Sequence, residues 1–150
     1  MILLLDEQLD SPDMVVARSL DILGKAHGLS FRSLRMESPG LKDDGIPPYC
    51  QREGVGALVS ANFRDFGAKL ALYEALLDAA VSVVVLRSQA KKSLSVEQQA
   101  SVLSKHVRAI ARSLNGAAPD YILLRVNEGG CVKRSLEGLR REIAGEGKLP

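Results

Sequence analysis

Four aspartates stand at points of the sequence where carboxylates could bind a divalent metal ion. Asp6 directly follows an apolar run, Asp43 and Asp44 lie in a polar stretch, and Asp65 comes a few residues after another apolar run. Mg²⁺ and Mn²⁺ prefer hard oxygen ligands grouped in this way. Such an ion could orient a water molecule and offset charge on a phosphodiester during in-line displacement. These acids therefore predict metal-assisted hydrolysis, provided that the fold brings them together.

The apolar runs that precede the acids are typical of strands buried on both faces of a parallel sheet. Residues 2–5 predict the first strand, residues 55–60 the third, and residues 81–86 a fourth that should be central. Residues 29–34 alternate apolar with polar side chains, which indicates a second strand nearer the sheet edge. Two late strands joined by a glycine-rich turn, between residues 121 and 134, predict a hairpin.

Helical periodicity fills the intervals between these strands. A capping or first-turn signal, apolar residues three and four positions apart, or both mark each predicted helix. The first predicted helix is residues 12–26, and a short helix opened by Pro47 and Pro48 follows a loop at 36–45. The third has an apolar face that runs from Phe66 to Leu77. The fourth has about twenty residues with capping-box spacing at Ser95 and Gln98, and the last begins at Ser135. Residues 145–150 should fray.

This alternation of strands and helices predicts an α/β fold with parallel strands, right-handed crossovers and helices on both faces of the sheet. Ligands of such folds bind beyond the carboxyl ends of the strands, where the strand order reverses. Asp6 and Asp65 follow the first and third strands, so they are expected near that point. A chain of 150 residues is the usual size of one domain, and residues 1–150 are interpreted as one.

Composition sets broad limits on location and partners. The chain is 46% hydrophobic and has a formal net charge of +2, so bulk electrostatics require neither a nucleic acid nor a membrane surface. Cys50 and Cys131 lack the spacing of a metal site and predict free thiols in a reducing compartment. The apolar run at residues 1–5 is too short for a membrane span. A cytoplasmic protein without a membrane partner is expected.

Positive charge marks the start and one face of the long predicted helix. A charged stripe of this kind can follow an RNA backbone, or it can simply be the solvated face opposite an apolar one. The residues are Lys91, Lys92, Lys105, Arg108 and Arg112. The two histidines, His27 and His106, have no paired ligand spacing, and neither is predicted to be a catalyst or metal ligand.

Three segments resemble the PIN-like nuclease domains. They are Leu-Leu-Leu-Asp-Glu-Gln-Leu at residues 3–9, Asp-Asp-Gly-Ile at 43–46 and Leu-Val-Ser-Ala-Asn-Phe-Arg-Asp-Phe at 58–66. Their order is similar to that of small bacterial and archaeal PIN-like proteins with an N-terminal "LLDENL"-type motif, often found beside an antitoxin-like gene. The resemblance implies a PIN-like three-layer α/β/α fold with a mostly parallel sheet and Mg²⁺-dependent ribonuclease activity. It also implies a possible antitoxin protein partner and a homodimer.

The resemblance assigns roles to individual residues. Asp6 matches the first metal-site aspartate of the family, and Asp43 matches the acid that heads the second helix. Asp65 matches the aspartate of the "T-x-N-x-x-D-F" motif, and Ser60 matches its opening threonine. Asp6, Asp43 and Asp65 are therefore the predicted catalytic and metal-binding residues. Asp44 is a further candidate ligand, because the sequence does not show which of the two neighbouring acids faces the site.

Two departures from the family pattern support a second hypothesis. Asn62 stands where many relatives have another aspartate, and residues 45–48 replace an acid-rich helix start. Fewer carboxylates weaken metal binding, so the chain could instead be a catalytically depleted PIN-like module that acts through a protein partner. Simple structural roles are also open to the same residues, since Asp43, Asp44 and Asp65 could cap helices and Asn62 suits a turn.

Overall fold

The computed structural model describes residues 1–6, 9, 15–61, 69–86, 95–115, 123–127, 130–134, 137 and 140–141. Strands and helices alternate along these residues in the order that the periodicity predicts. The strands are β1 (Ile2–Leu5), β2 (Ser30–Ser33), β3 (Val55–Ala61), β4 (Ser82–Leu86), β5 (Leu123–Asn127) and β6 (Gly130–Arg134). The helices are α1 (Val15–Lys25), α2 (Leu34–Glu37), α3 (Ile46–Glu53), α4 (Leu70–Asp78) and α5 (Val96–Asn115), with a 3₁₀ turn at Asp43–Gly45.

All six strands belong to one sheet in the order β2-β1-β3-β4-β5-β6. The first four pairings along this order are parallel, and the pairing of β5 with β6 is antiparallel. The predicted α/β class, the edge position of β2 and the central position of β4 are confirmed. The late hairpin is confirmed as the antiparallel pair that closes one side of the sheet.

Apolar side chains cover both faces of the sheet, and this produces three layers. On one face, Leu3 and Leu5 of β1 pack with residues of α1 and α5 such as Leu20 and Leu103. On the other face, Leu4 packs with residues of α3 and α4. Successive residues of a strand point to opposite faces, so a strand in the middle of three layers must be apolar throughout. This explains the uninterrupted leucines of β1.

The chain reverses its direction across the sheet at β1. The crossover through α1 places β2 on one side of β1, and the next crossover places β3 on the other side. The carboxyl ends of β1 and β3 therefore border the switch point where ligands of open α/β sheets bind. Leu5 of β1 pairs with Val59 of β3. The next residues, Asp6 and Ser60, are therefore neighbours at the carboxyl ends of these two strands.

The first turn of α5 has the capping hydrogen bonds that the sequence predicts. The Ser95 backbone N–H donates to Oε1 of Gln98 at 2.9 Å, and the Gln98 backbone N–H donates to Oγ of Ser95 at 3.2 Å. This reciprocal pair is a capping box, and it satisfies donors that the first helical turn leaves without intrahelical partners. The helix then runs twenty residues, to Asn115.

The stretch from residue 36 to 45, predicted as a loop, has more regular structure than its composition indicates. It contains the last residues of α2 and the 3₁₀ turn. The Glu37 carboxylate at the end of α2 accepts hydrogen bonds from Arg32 and from the hydroxyl of Tyr49. Both donors lie outside the stretch, so its conformation depends on tertiary contacts that local composition does not encode.

Several predicted features lie outside the described residues, including Asn62, Asp65, Lys91, Lys92 and the tail at 145–150. For the last predicted helix, the described residues Glu137, Arg140 and Arg141 are helical. Within the described part of the chain, no helix is both long and apolar enough to cross a membrane. Cys50 and Cys131 are free thiols, as predicted.

Candidate functional site

Asp6 and Ser60 meet at the switch point of the sheet. The Asp6 backbone N–H donates to the carbonyl oxygen of Val59 at 2.9 Å, which extends the β1–β3 pairing by one residue. The buried hydroxyl of Ser60 donates to Oδ2 of Asp6 at 3.3 Å. Side chains alternate along a strand, so Asp6 and Ser60 point to the sheet face that α3 and α4 cover. The sheet itself thus fixes both the position and the direction of the Asp6 carboxylate.

Asp43 and Lys69 form an ion pair beside this point. The 3₁₀ turn ahead of α3 carries Asp43, and Lys69 directly precedes α4. Nζ of Lys69 donates to both oxygens of Asp43, at 3.1 Å to Oδ1 and 2.9 Å to Oδ2. The side chains of Lys69 and Asp43 are 27% and 51% exposed, respectively. The lysine ammonium is thus partly screened from solvent, while the aspartate remains open to it.

The charges of two aspartates act on Lys69. Partial burial by itself lowers the pKa of Lys69, but the hydrogen bond to Asp43 and the negative charges of Asp43 and Asp6 raise it more, and the pKa lies above its ordinary value. The side chain of Tyr73, one turn into α4, acts in the same direction. Asp43 thus contacts the ammonium group directly and Asp6 acts on it through space, and the ammonium keeps its positive charge at neutral pH.

The predicted site residues divide into those that the structure brings together and those that it does not describe. Asp6, Ser60 and Asp43 lie around the same edge of the sheet. Of the neighbouring acids at 43 and 44, both exposed, Asp43 forms the ion pair with Lys69. Asp65 and Asn62 fall outside the described residues.

The donor set suits a small divalent cation. Mg²⁺ is commonly held by one or two carboxylates and retains several waters, so Asp6 and Asp43 are a sufficient protein contribution. The Lys69 ammonium occupies both oxygens of Asp43, and at this carboxylate it acts as a stand-in for such an ion. Among the described residues, no group of three or more histidine, cysteine, aspartate or glutamate side chains could hold a metal ion. The described donor set is therefore two carboxylates.

Sequence reasoning missed Lys69. An isolated lysine between apolar residues has no motif of its own, and its role depends on the contact with Asp43, which is 26 positions away. One signal was present in the sequence. Lys69 falls in the first turn of the helix predicted from Phe66, and the start of that helix returns to the same edge of the sheet as Asp6.

A second polar cluster surrounds Arg32 on the edge strand β2. The Arg32 guanidinium binds Glu37 through two nitrogens and also donates to Glu53 at 2.8 Å. Hydrogen bonding from Arg32 lowers the pKa of Glu37, whereas burial and the neighbouring Glu37 carboxylate raise the pKa of Tyr49 to about 12. Each charge in the cluster has a partner, so its role is to join β2, α2 and α3.

A basic cleft lies between the end of α1 and α5. Its volume is about 260 Å³, and it is lined by His27, Arg108, Ala111 and Arg112. Lys105 continues the same exposed face of α5 toward its start. The described part of the predicted positive stripe is therefore on the surface.

No family model, curated protein or solved structure matches the chain. The function must therefore be inferred from the geometry at the carboxyl ends of β1 and β3, and the resemblance to PIN-like domains stays a prediction.

Proposed function

We propose that the chain is a PIN-like ribonuclease that depends on Mg²⁺ or Mn²⁺. The observation that supports this most directly is the position of Asp6 at the switch point of the sheet, with the ion pair of Asp43 and Lys69 near enough for the Asp6 charge to act on the lysine. Ligands of this class of sheet bind there. Asp65 joins the site in this proposal through its match to the family motif.

The residues divide the chemistry between them. Asp6 and Asp43 hold the ion, and Ser60 orients the Asp6 carboxylate through its hydrogen bond. When bound, the ion supplies Lewis acidity and neutralises charge on the phosphodiester oxygens. The ladder bond from Asp6 to Val59 keeps the backbone at this point rigid, so the carboxylate needs little reorganisation when the substrate arrives.

The basic face of α5 supports RNA as the substrate class. Lys105, Arg108 and Arg112 are exposed along one side of a helix about 30 Å long, which can follow a phosphate backbone over several nucleotides. A helix between parallel strands runs antiparallel to them, so α5 begins at the edge that bears Asp6, and Arg108 and Arg112 lie toward the opposite edge. An RNA bound to these residues would have to pass the start of α5 to reach Asp6.

The substitution Asp6→Asn tests the proposal, with Asp44→Asn as its control. Asparagine keeps an oxygen that can accept a hydrogen bond from Ser60 but loses the negative charge, so we expect a folded protein. Its Mn²⁺ affinity should fall about a hundredfold or more, because even the loss of a group that contacts a metal ligand lowers metal affinity about ten- to a hundredfold. Cleavage of single-stranded RNA should be lost with it. Calorimetric Mn²⁺ titration and an RNA cleavage assay measure the two effects.

Asp44→Asn removes the same charge one residue from Asp43, on an exposed side chain, and should retain both activities. A folded Asp6→Asn protein that still cleaves RNA in a metal-dependent manner would contradict the proposal.

One observation favours a second candidate function. The ion pair between Lys69 and Asp43 neutralises the charge of Asp43 without any metal. The chain would then be a catalytically depleted PIN-like module that acts by binding a protein. Absence of Mn²⁺ binding at millimolar concentration, in a protein that still forms a complex with its partner, would select this alternative.

The proposal extends to setting and partners. A cytoplasmic toxin–antitoxin role, with an antitoxin protein and a homodimer, follows from the resemblance at residues 3–9, 43–46 and 58–66. Analytical ultracentrifugation of the pure chain, and of the chain produced together with the product of a neighbouring gene, tests both partners. A monomer that forms no such complex would contradict the toxin–antitoxin role and the homodimer, but not the nuclease proposal.

A further inference from the structure

Lys69 is a cation that the fold holds against the candidate acidic site. Its ammonium is chelated by both oxygens of Asp43 and lies within the field of Asp6. Three separate elements supply these groups: the end of β1, the 3₁₀ turn at Asp43–Gly45 and the residue ahead of α4. The arrangement is therefore a product of the fold at the switch point, unlike an ion pair formed within one helix.

Electrostatics gives this lysine a function at the site. Carboxylates near one another repel, and a cation bound to one of them relieves the repulsion. Lys69 fulfils this requirement with a tethered charge. A divalent ion bound to the same carboxylates would relieve the repulsion too. Asp43 cannot use both of its oxygens for Lys69 and for the ion at the same time.

We propose that Lys69 is a built-in competitor of the metal, whose ammonium must leave Asp43 before a divalent ion can bind Asp6 and Asp43. This inference rests on the proposed metal site. Lys69 is thus a positioning residue: it holds the Asp43 carboxylate in the metal-free protein and sets how much metal is needed to load the site.

The competition has two consequences. Removal of the Lys69 charge should tighten metal binding, because the ion no longer displaces a bound cation or meets a like charge near the site. The same removal should destabilise the metal-free protein, because Asp43 loses the ammonium group that both of its oxygens bind. Added metal should then restore stability by more in the variant than in the original protein.

Calorimetric Mn²⁺ titration of Lys69→Met measures the first consequence. Methionine keeps the length and apolar stem of the side chain without the charge. We expect the Kd for Mn²⁺ to fall by about fivefold or more, the scale of a partly exposed ion pair plus the repulsion that is removed. Lys69→Arg retains a positive charge and should keep an affinity near that of the original protein.

Lys42→Met is the matched control. It deletes the same charge from an exposed side chain next to Asp43, outside the Lys69–Asp43 ion pair. Its Kd should change much less than that of Lys69→Met. Thermal melts with and without Mn²⁺ give the second readout, in which the metal-induced rise in Tm should be largest for Lys69→Met.

The outcomes separate this inference from the proposed function. If the original protein binds Mn²⁺ and loses it on Asp6→Asn, but Lys69→Met binds no more tightly than Lys42→Met, the metal site stands and the competition is refuted. If neither the original protein nor Lys69→Met binds Mn²⁺, both ideas fail. Weaker binding by folded Lys69→Met would likewise overturn the competition.

Discussion

At the scale of single residues, Arg32 shows how one side chain joins several elements. Its planar guanidinium donates to Glu37 through Nε and Nη2 and to Glu53 through Nη2. The rigid fork of an arginine suits this two-point recognition of a carboxylate, and the point charge of a lysine would not reproduce it. Tyr49 adds a hydroxyl donor to the same Glu37. The edge strand β2 is thereby attached to the helices beside it.

The substitution Arg32→Met should destabilise the protein by about 1–2 kcal/mol at pH 7, because Glu37 and Glu53 lose a charged donor in partly buried surroundings. The pKa of Glu37 in the folded protein lies below its ordinary value of 4.5. Its contribution to stability is therefore full above that value and is lost as the pH falls through the lower pKa of the folded state.

Urea denaturation of both proteins between pH 7 and pH 3 measures this effect. The difference in free energy of unfolding should shrink at the acid end of the range, as Glu37 takes up a proton in the original protein. A difference that stays constant over the whole range would show that the loss comes from packing of the arginine stem alone.

At the scale of elements, the approach of α1 to β2 depends on a residue without a side chain. A Cβ atom added to Gly24 would lie 2.9 Å from the carbonyl oxygen of Leu29 and 2.9 Å from the ring of Phe31. The first of these contacts involves backbone, which cannot move aside easily. Gly24 thus permits the last turn of α1 to pack directly on the segment that leads into β2.

Gly24→Ala should destabilise the protein by about 1–3 kcal/mol, as overpacking does, although alanine is the better helix former by about 1 kcal/mol. Ser19→Ala, at an exposed position of the same helix, is the control and should leave stability unchanged or slightly higher. Urea denaturation measures both. A Gly24→Ala protein as stable as the original would mean that α1 can shift away from β2 without loss.

At the scale of the whole molecule, charge is distributed unequally between the two helical layers. The described residues 15–28 and 95–115, which form the layer of α1 and α5, contain five lysines and arginines and two acids. The described residues 34–54 and 69–80, on the opposite face, contain four basic residues and six acids. A polyanion should therefore approach the layer of α1 and α5, where the basic cleft lies.

The double substitution Arg108→Glu and Arg112→Glu should weaken RNA binding. It should also lower the steepness of log affinity against log salt concentration by about 1.4, because each phosphate neutralised on a single strand contributes about 0.7. Arg35→Glu with Arg52→Glu, on the other layer, makes the same change in net charge and should have a much smaller effect. Fluorescence anisotropy with labelled RNA at several salt concentrations tests this. Equal losses in both variants would indicate that only net charge matters.

The elements themselves could be predicted from the sequence because their causes are local. The apolar run of β1, the alternation in β2 and the capping box at Ser95 and Gln98 are each set by residues within a few positions of one another. The α/β class and the placement of Asp6 at the end of a strand follow from the order of these elements. This much of the candidate site was determined by the sequence alone.

Only the tertiary structure decided which groups meet at that edge. The register that sets Asp6 beside Ser60 joins residues 54 positions apart, and the ion pair between Asp43 and Lys69 joins residues 26 positions apart. No local pattern encodes such pairs, because they depend on strand order and on the side of the sheet to which each crossover returns. Lys69, which has no motif in the sequence, becomes the cation of the acidic site for this reason.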